Sequence, residues 1–491
     1  MADDLIATLN EQEEQRYQKM RRLRERGEEP YPLRAPRTHT AQAAIEAFNL
    51  GEPVQGVKLA GRLVSVRDMG KLTFAHLQDG SAKIQLMVRK DLVGADAYAM
   101  LLKDFDLGDF IAVEGELIKT RTGEVTLQVV RLTLLAKTLS PLPEKWHGLK
   151  DTETRYRQRY LDLLSNEEVR KLFVARSRIV TAMRKFLDDQ GFLEVETPVL
   201  QALYGGGHAE PFVTHHNKLD RDMYLRIADE LYLKRLLVGG FERVYEISKD
   251  FRNEGIDIKH NPEFTMMECY QAYGDYTTMM TLVEGMYAAC AQAAQGTLQI
   301  TYQGNALDLT PPWPRAPMRD LILQTCGVDI YAETDLPRLG ARIEELNLKV
   351  ERHATWGKQV DELFSTFAEP TLVQPTFVTD YPEEISPFAK KKPDNPRIVE
   401  RFEAFGANME LGNAFTELND PLDQYSRFME QAEQRKAGDK ETQPVDMDFI
   451  QAMMHGMPPT GGLGIGVDRM VMLLTDQASI REVILFPQLR T

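Results

Sequence analysis

Two runs of alternating apolar residues flank a charged turn between residues 241 and 270, FERVYEISKDFRNEGIDIKHNPEFTMMECY. Val244, Tyr245, Ile247 and Phe251 carry the β-branched and aromatic content of a buried strand that ends at Arg252. Asn253, Glu254 and Gly255 break that strand. After Asn261-Pro262 the alternation returns, so Phe264, Met266, Glu268 and Tyr270 are expected on one face of a second strand. An arginine, an aromatic ring and a carboxylate then share one hairpin, which suits a phosphate, a planar base and an ammonium group bound side by side.

The same pattern divides the chain. An N-terminal helix is predicted to end at Gly27, followed by a connector containing Pro30, Pro32 and Pro36. From residue 57, VKLAGRLVSVRDMGKLTFAHLQDGSAKIQLMVR and DFIAVEGELIKTRTGEVTLQVVRLTLLAK read as about five strands with turns at Asp79-Gly80 and Thr122-Gly123. So many strands in so short a segment predict a small barrel of the oligonucleotide-binding type, in which aromatic side chains stack bases and polar ones read their edges. Arg67, Phe74, Gln85 and Glu124 are the candidates for that work; the alternative is a core Phe74 among ordinary surface residues.

Pro141-Leu-Pro143 marks a linker, and the boundary is placed between a domain of residues 1–145 and one of 146–491. Beyond it, Arg155, Arg157 and Arg159 interleave with Tyr156 and Tyr160. Helical periodicity runs from Val169 to Leu187, and the strand-like FLEVETPVL follows, broken at Pro198. Residues 285–349 read as helices inserted between sheet strands.

Composition narrows the picture. With 491 residues, two or three domains are expected. No run of about eighteen apolar residues occurs, and the N-terminus MADDLIATLNEQEEQ is acidic, so neither membrane insertion nor export is expected. Cys269, Cys290 and Cys326 form no close pair, which fits a reducing cytoplasm better than a disulfide framework or a zinc knuckle. A net charge of −15 counts against nonspecific coating of nucleic acid and against a DNA partner, while leaving room for a specific RNA contact through local basic patches. One such patch is Arg16, Lys19, Arg21, Arg22, Arg24 and Arg26. Taken alone, it is better read as a solvated amphipathic helix with Leu5, Leu9 and Leu23 packed on a neighbour.

Three further segments carry chemistry. In LYGGGHAEPF, Gly205, Gly206 and Gly207 let a backbone approach a ligand closely. RFEAFGANMELGNAFTELND sets Glu403, Glu410 and Glu417 on apolar strands, with Asn413, Phe415 and Glu417 on one face. Carboxylates there are costly unless paired with a cation, and two of them could hold magnesium through oxygen ligands. GGLGIGVDRMVMLL is a glycine-rich strand running through Asp468-Arg469 into a helix. It is not a dinucleotide fingerprint, because Val467 stands where the third glycine belongs, and no G-x-x-x-x-G-K-[ST] loop occurs. Phosphate binding therefore rests on Arg252, His260 and Arg469.

FLEVETPVL, FRNEGIDIKHNPEFTMMECY and GLGIGVDRMVMLL resemble, in order and spacing, motifs 1, 2 and 3 of the class II aminoacyl-tRNA synthetases, at about residues 191–200, 241–271 and 461–474. HNPEFTMME, GNAFTELNDP and PTFVTDYPEEISP, with the barrel, are similar to the lysyl members over nearly the whole chain. The fold implied is α+β, a five-stranded OB-fold barrel followed by an antiparallel sheet flanked by helices. The activity implied is ATP-dependent activation of L-lysine to lysyl-adenylate, then transfer to the terminal adenosine of tRNA(Lys), by a cytoplasmic homodimer joined through motif 1.

That resemblance gives each candidate a role. Arg252 would bridge the amino acid carboxylate and the α-phosphate, and Arg469 would meet the γ-phosphate. His260 would touch the triphosphate, Phe264 would stack the adenine, and Glu403 and Glu410 would hold Mg2+ and ATP. Glu417 and Tyr270 would take the side-chain ammonium of lysine. Glu230, Glu268 and the Gly206 backbone would take its α-amino group, with Asn413 and Phe415 lining the slot. Arg67, Phe74, Gln85 and Glu124 would read the anticodon, and the basic N-terminal helix becomes a tRNA contact.

Gly207 and Glu210 stand where the family pattern G-G-A-x-A-R-P-F has alanine and arginine, and Asp229 adds negative charge before Glu230. Three rivals are set aside. A dead RNA-binding paralogue would have lost Arg252, Glu403, Glu410 or Arg469; an enzyme lysylating protein would lack the barrel; an aspartyl or asparaginyl enzyme would not place negative Glu417 in its pocket.

Overall fold

The computed structural model describes residues 2–52, 56–143, 149–436 and 443–490. The chain forms two compact units, Met1–Lys150 and Asp151–Thr491. The expected boundary at residues 145–146 falls outside the described residues.

In the first unit, strands β1 (Val57–Asp68), β2 (Leu72–Gln78), β3 (Lys83–Arg89), β4 (Phe110–Lys119) and β5 (Val125–Ala136) close into a barrel in the order β1-β2-β3-β5-β4. Strict alternation does this: Thr73, Ala75 and Leu77 point inward with Ile84, Leu86 and Val88, while Phe74, His76 and Gln85 take the other face. Phe74 is therefore not a core residue. The helix Ala95–Lys103 packs Tyr98 and Leu101 into the barrel core.

The N-terminal helix Glu11–Glu25 opens with a capping box at Asn10 and Glu13. Leu23 is fully buried in the barrel core, worth about 1.5–3 kcal/mol, whereas Leu5, expected on the same helix, is exposed on a separate one, Ala2–Ile6. Much of the helix's basic face is turned to the barrel. Lys19 pairs with Asp106 at 2.6 Å, Arg22 and Arg26 with Asp104 at 3.1 and 2.7 Å, and Arg16 donates to the Leu107 and Thr138 carbonyls. A further helix, Ala41–Asn49, precedes the barrel and has no counterpart in the sequence expectation.

The second unit holds β6 (Leu193–Glu194), β7 (Leu200–Gln201), β8 (Val213–His216), β9 (Arg221–Leu225), β10 (Arg243–Phe251) and β11 (Glu263–Ala272). These are followed by β12 (Gln299–Tyr302), β13 (Asn305–Asp308), β14 (Arg315–Pro317), β15 (Thr376–Thr379), β16 (Arg401–Gly406), β17 (Met409–Thr416) and β18 (Thr460–Gly466). Eight of them form one sheet, β14-β15-β16-β17-β18-β11-β10-β6. Its central pairings, β16 through β10, are all antiparallel. Two long helices, Glu167–Asp189 and Tyr276–Gln295, bury Ile179, Met183, Val283 and Tyr287 in the main core with residues of β11, β17 and β18.

Residues 285–349 differ from the helical expectation. Their first part completes the helix Tyr276–Gln295, β12 and β13 form a hairpin, and β14 joins the main sheet before the helices Met318–Cys326 and Leu336–Glu345. Strands of three or four residues are too short for periodicity to separate them from helix.

Candidate active site

The hairpin at residues 241–270 is β10 and β11, paired antiparallel from Arg243↔Gln271 to Phe251↔Glu263. One face of β11, together with β16, β17, β18 and the loop at Gly206, walls a cavity of about 360 Å³, the size of a small-molecule site. Phe264, Met266, Glu268 and Tyr270 line it from one face of β11, as alternation requires.

One end is basic. Arg252 stacks its guanidinium 5.0 Å from the centre of the Phe264 ring, and its Nε is buried with no hydrogen-bond partner among the described residues. Arg469 Nη1 donates to Glu410 Oε2 at 2.8 Å, and its Nη2 lies 3.3 Å from His260 Nε2. His260 Nδ1 lies 2.8 Å from Asp257 Oδ2, so a neutral ring protonated on Nδ1 satisfies both contacts. Asp468 fixes the helix that carries Arg469. Its Oδ1 pairs with Arg176 at 2.6 Å and its Oδ2 accepts from the Thr265 backbone at 2.7 Å.

The other end is acidic. Glu230, Glu268 and Glu417 are all buried and all line the cavity. Tyr270 Oη donates to Glu268 Oε2 at 3.0 Å, and the Asp229 backbone N–H to Glu268 Oε1 at 3.3 Å. Glu417 Oε1 has no hydrogen-bond partner among the described residues. A Cβ on Gly462 would stand 1.8 Å from that oxygen and 2.6 Å from the Tyr270 ring, so only glycine admits both side chains. Burial pushes Glu417 up to about 8, opposed by the Lys234 ammonium. Burial also raises Glu268 well above the usual range, with Asp229, Asp250 and Glu230 adding repulsion.

Between the two ends, Glu403 on β16 faces Asn413 on β17 across the ladder, and Glu410 and Phe415 also reach the cavity. Glu403 is raised to about 7 by burial, with Arg401 opposing and Glu410 reinforcing. Glu403 and Glu410 both line the cavity, each paired with an arginine, Arg401 at 2.6 Å and Arg469 at 2.8 Å, and their carboxylates are oxygen donors of the kind a magnesium ion takes. Gly206 adopts φ +86, and a Cβ there would press on Glu230 and Ala228 at 3.0 and 3.2 Å. At Gly207 the nearest atom would be 3.8 Å away, so the family's alanine fits without displacement. Glu210 is exposed and does not line the cavity; its carbonyl accepts from Asn253 N–H at 2.8 Å. Asp229 is buried behind the pocket, paired with Arg226 at 3.0 Å and accepting from Ser248 at 2.6 Å.

Several residues here had no sequence signal. Arg401 donates to Glu403 at 2.6 Å and to Asn413 at 3.1 Å, and Lys259 lines the basic end. Lys234, fully buried, pairs with both Glu230 and Glu417. The i,i+4 spacing of Glu230 and Lys234 was the one available hint, and it normally marks a surface pair.

On the barrel, register aligns Arg67 with Phe74 and Phe74 with Met87, and His76 with Gln85. Gln85 donates to Glu124 at 2.7 Å and accepts from Thr126 at 2.8 Å. Arg67 and Glu124 are exposed, and Phe74 and Gln85 are half-buried on the outward face. No helix among the described residues is long and apolar enough to cross a membrane.

Comparison with known proteins accounts for both units. The family described as tRNA synthetases class II (D, K and N) matches residues 151–490, and the OB-fold nucleic acid binding domain matches residues 57–135. A lysine–tRNA ligase of Roseiflexus sp. (strain RS-1) is 55% identical over 484 residues, covering 98% of this chain and 99% of its own. Those of Roseiflexus castenholzii and Chloroflexus aurantiacus are 56% and 55% identical over the same shares of both chains. The chain belongs to the class II tRNA synthetases of the D, K and N group, within the lysine–tRNA ligase family.

Proposed function

We propose that this chain is a lysine–tRNA ligase whose cavity activates L-lysine with ATP and passes it to tRNA(Lys). The observation that carries the reading is the polarity of one cavity, with Arg252 and Arg469 at one end and Glu230, Glu268 and Glu417 at the other. A long aliphatic slot ending in buried carboxylates favours a substrate with two ammonium groups and rejects one that leaves Glu417 unpaired.

In the first step, a carboxylate oxygen of lysine attacks the α-phosphorus of ATP, an O–P bond forms, and pyrophosphate leaves with the electrons of the broken bond. No base is needed, because the nucleophile is already an anion; the demands are alignment and charge neutralisation. Arg252 bridges the lysine carboxylate and the α-phosphate, which suits its buried, unpartnered Nε. Arg469 and His260 hold the outer phosphates, and Phe264 stacks the adenine. Glu403 and Glu410 would hold Mg2+, which when bound neutralises phosphate charge. Glu417 and Tyr270 receive the distal ammonium, Glu230, Glu268 and the Gly206 backbone the α-ammonium, and Asn413 and Phe415 line the slot. In the second step, a ribose hydroxyl of the terminal adenosine attacks the lysyl carbonyl carbon and AMP departs.

Arg67, Phe74, Gln85 and Glu124 form the anticodon-reading face, a reading supported by the pairing of Arg67 with Phe74 across two strands and by the hydrogen bond from Gln85 to Glu124. Homodimerisation through motif 1 is supported by Leu193, Val199, Leu200 and Leu203, which are 39–47% exposed around the terminal strand β6. Action in the cytoplasm accords with three free cysteines.

The activation step is tested by exchange of labelled pyrophosphate into ATP with each of the twenty amino acids. Exchange with lysine alone is expected; exchange with no amino acid, or with aspartate or asparagine in its place, would overturn the reading.

A further inference from the structure

Lys234 lies on the helix Glu230–Val238, its side chain fully buried behind the cavity wall. Its ammonium pairs with Glu230 one turn earlier and with Glu417 just past the end of β17. It also lies 4.7 Å from the centre of the Phe388 ring and 5.5 Å from that of Phe415. Glu268 takes part in no ion pair among the described residues, and Lys234 is the one cation there that pairs with Glu230 and Glu417.

We infer that Lys234 is a positioning residue that sets lysine specificity, clamping Glu230 and Glu417 from behind so that each turns an oxygen of fixed position toward the substrate. The inference rests on the function proposed above. Glu230 is assigned to the α-ammonium and Glu417 to the distal one, so a single ammonium touching both fixes the separation of the two recognition points.

Charge balance supports the assignment. When L-lysine binds, its two ammonium groups and the Lys234 ammonium match the three carboxylates in number, while its carboxylate goes to Arg252. Glu417 is divided between the two cations: Oε2 pairs with Lys234, while Oε1, beside Gly462 and Tyr270, has no hydrogen-bond partner among the described residues. Without Lys234, the two carboxylates would face each other with no cation between them, and burial and repulsion would drive both further toward the neutral acid. The distal ammonium would then meet a neutral acid.

The test is a double-substitution cycle read by lysine-dependent pyrophosphate exchange. Lys234→Met is expected to raise the KM for lysine by about tenfold or more, with the KM for ATP and kcat within about threefold. Glu417→Gln should cost far less in a Lys234→Met background than in the wild type, because the two residues act as a unit. A merely structural lysine would lower Tm without separating the lysine KM from kcat. Should Lys234→Met fail to fold, Lys234→Met/Glu417→Gln decides: recovery of folded protein supports the clamp, and failure to recover overturns it. An unchanged lysine KM in folded Lys234→Met, or additive effects in the cycle, also overturns it. The wild-type control separates the two levels, since absent lysine-dependent exchange there refutes the proposed function itself.

Discussion

The Arg469 guanidinium meets the Glu410 carboxylate at 2.8 Å, at the basic end of a cavity whose opposite end is lined by buried glutamates. The pair is partly exposed, so the protein can exchange this contact for phosphate at little cost to stability. Arginine's planar fork offers a geometry that lysine lacks. Arg469→Lys is expected to lower kcat/KM for ATP by about 10- to 100-fold, the worth of a charge-assisted contact, with the KM for lysine little changed. Initial rates of exchange at varied ATP and varied lysine check this.

Gly462 provides a test by steric exclusion. A methyl group there would overlap Glu417 Oε1 and the Tyr270 ring. Gly462→Ala is expected to abolish lysine-dependent exchange while leaving ATP binding within about threefold. Glu417→Gln, a milder change, should raise the KM for lysine by at least about tenfold. Titration of lysine and ATP binding by calorimetry separates the two effects.

How much of this could be read in advance depends on the range of the signal. The barrel and the β10–β11 hairpin were legible because alternation is local, and Phe264 through Tyr270 share a face for the same reason that they alternate in sequence. The roles of Arg252 and Arg469 came from the resemblance of whole motifs. Lys234 was not legible, because ELYLKRLL reads as an amphipathic helix with a solvated lysine, and only the tertiary fold brings Glu417 to it. Phe74 was ambiguous between core and surface until the register with Arg67 fixed its face. The hairpin β12–β13 was lost among helices because four-residue strands carry too few positions to reveal a period.

A pH dependence of stability follows from Asp229. Burial and the neighbouring Asp250 raise its carboxyl from 3.8 to about 8, although Arg226 opposes them. Between those values the folded protein holds a proton that the unfolded chain has released, so this group makes stability fall as pH rises through that window. Above about 8 its effect levels off. Asp229→Asn removes the dependence, so the Tm of the variant relative to wild type is expected to be higher at pH 8.5 than at pH 5.5. Differential scanning calorimetry at both values decides, and an equal Tm difference would mean that Asp229 is ionised throughout.

On the barrel, Phe74 offers an outward ring beside Arg67, Gln85 and Glu124. Base stacking on such a ring is worth about 1–3 kcal/mol. Phe74→Ala is accordingly expected to lower kcat/KM for tRNA by about tenfold or more, and to leave pyrophosphate exchange unchanged because activation needs no tRNA. Equal loss in both assays would point instead to a damaged fold.

The measurement that bears most directly on the whole account is the charging of tRNA itself. Purified protein, ATP, magnesium and a total tRNA fraction are incubated with each labelled amino acid in turn, and the label bound to tRNA as an ester is counted. Lysine alone is predicted to become attached, on tRNA(Lys), with the label released by mild base. Attachment of another amino acid, or no attachment of lysine, would contradict the account.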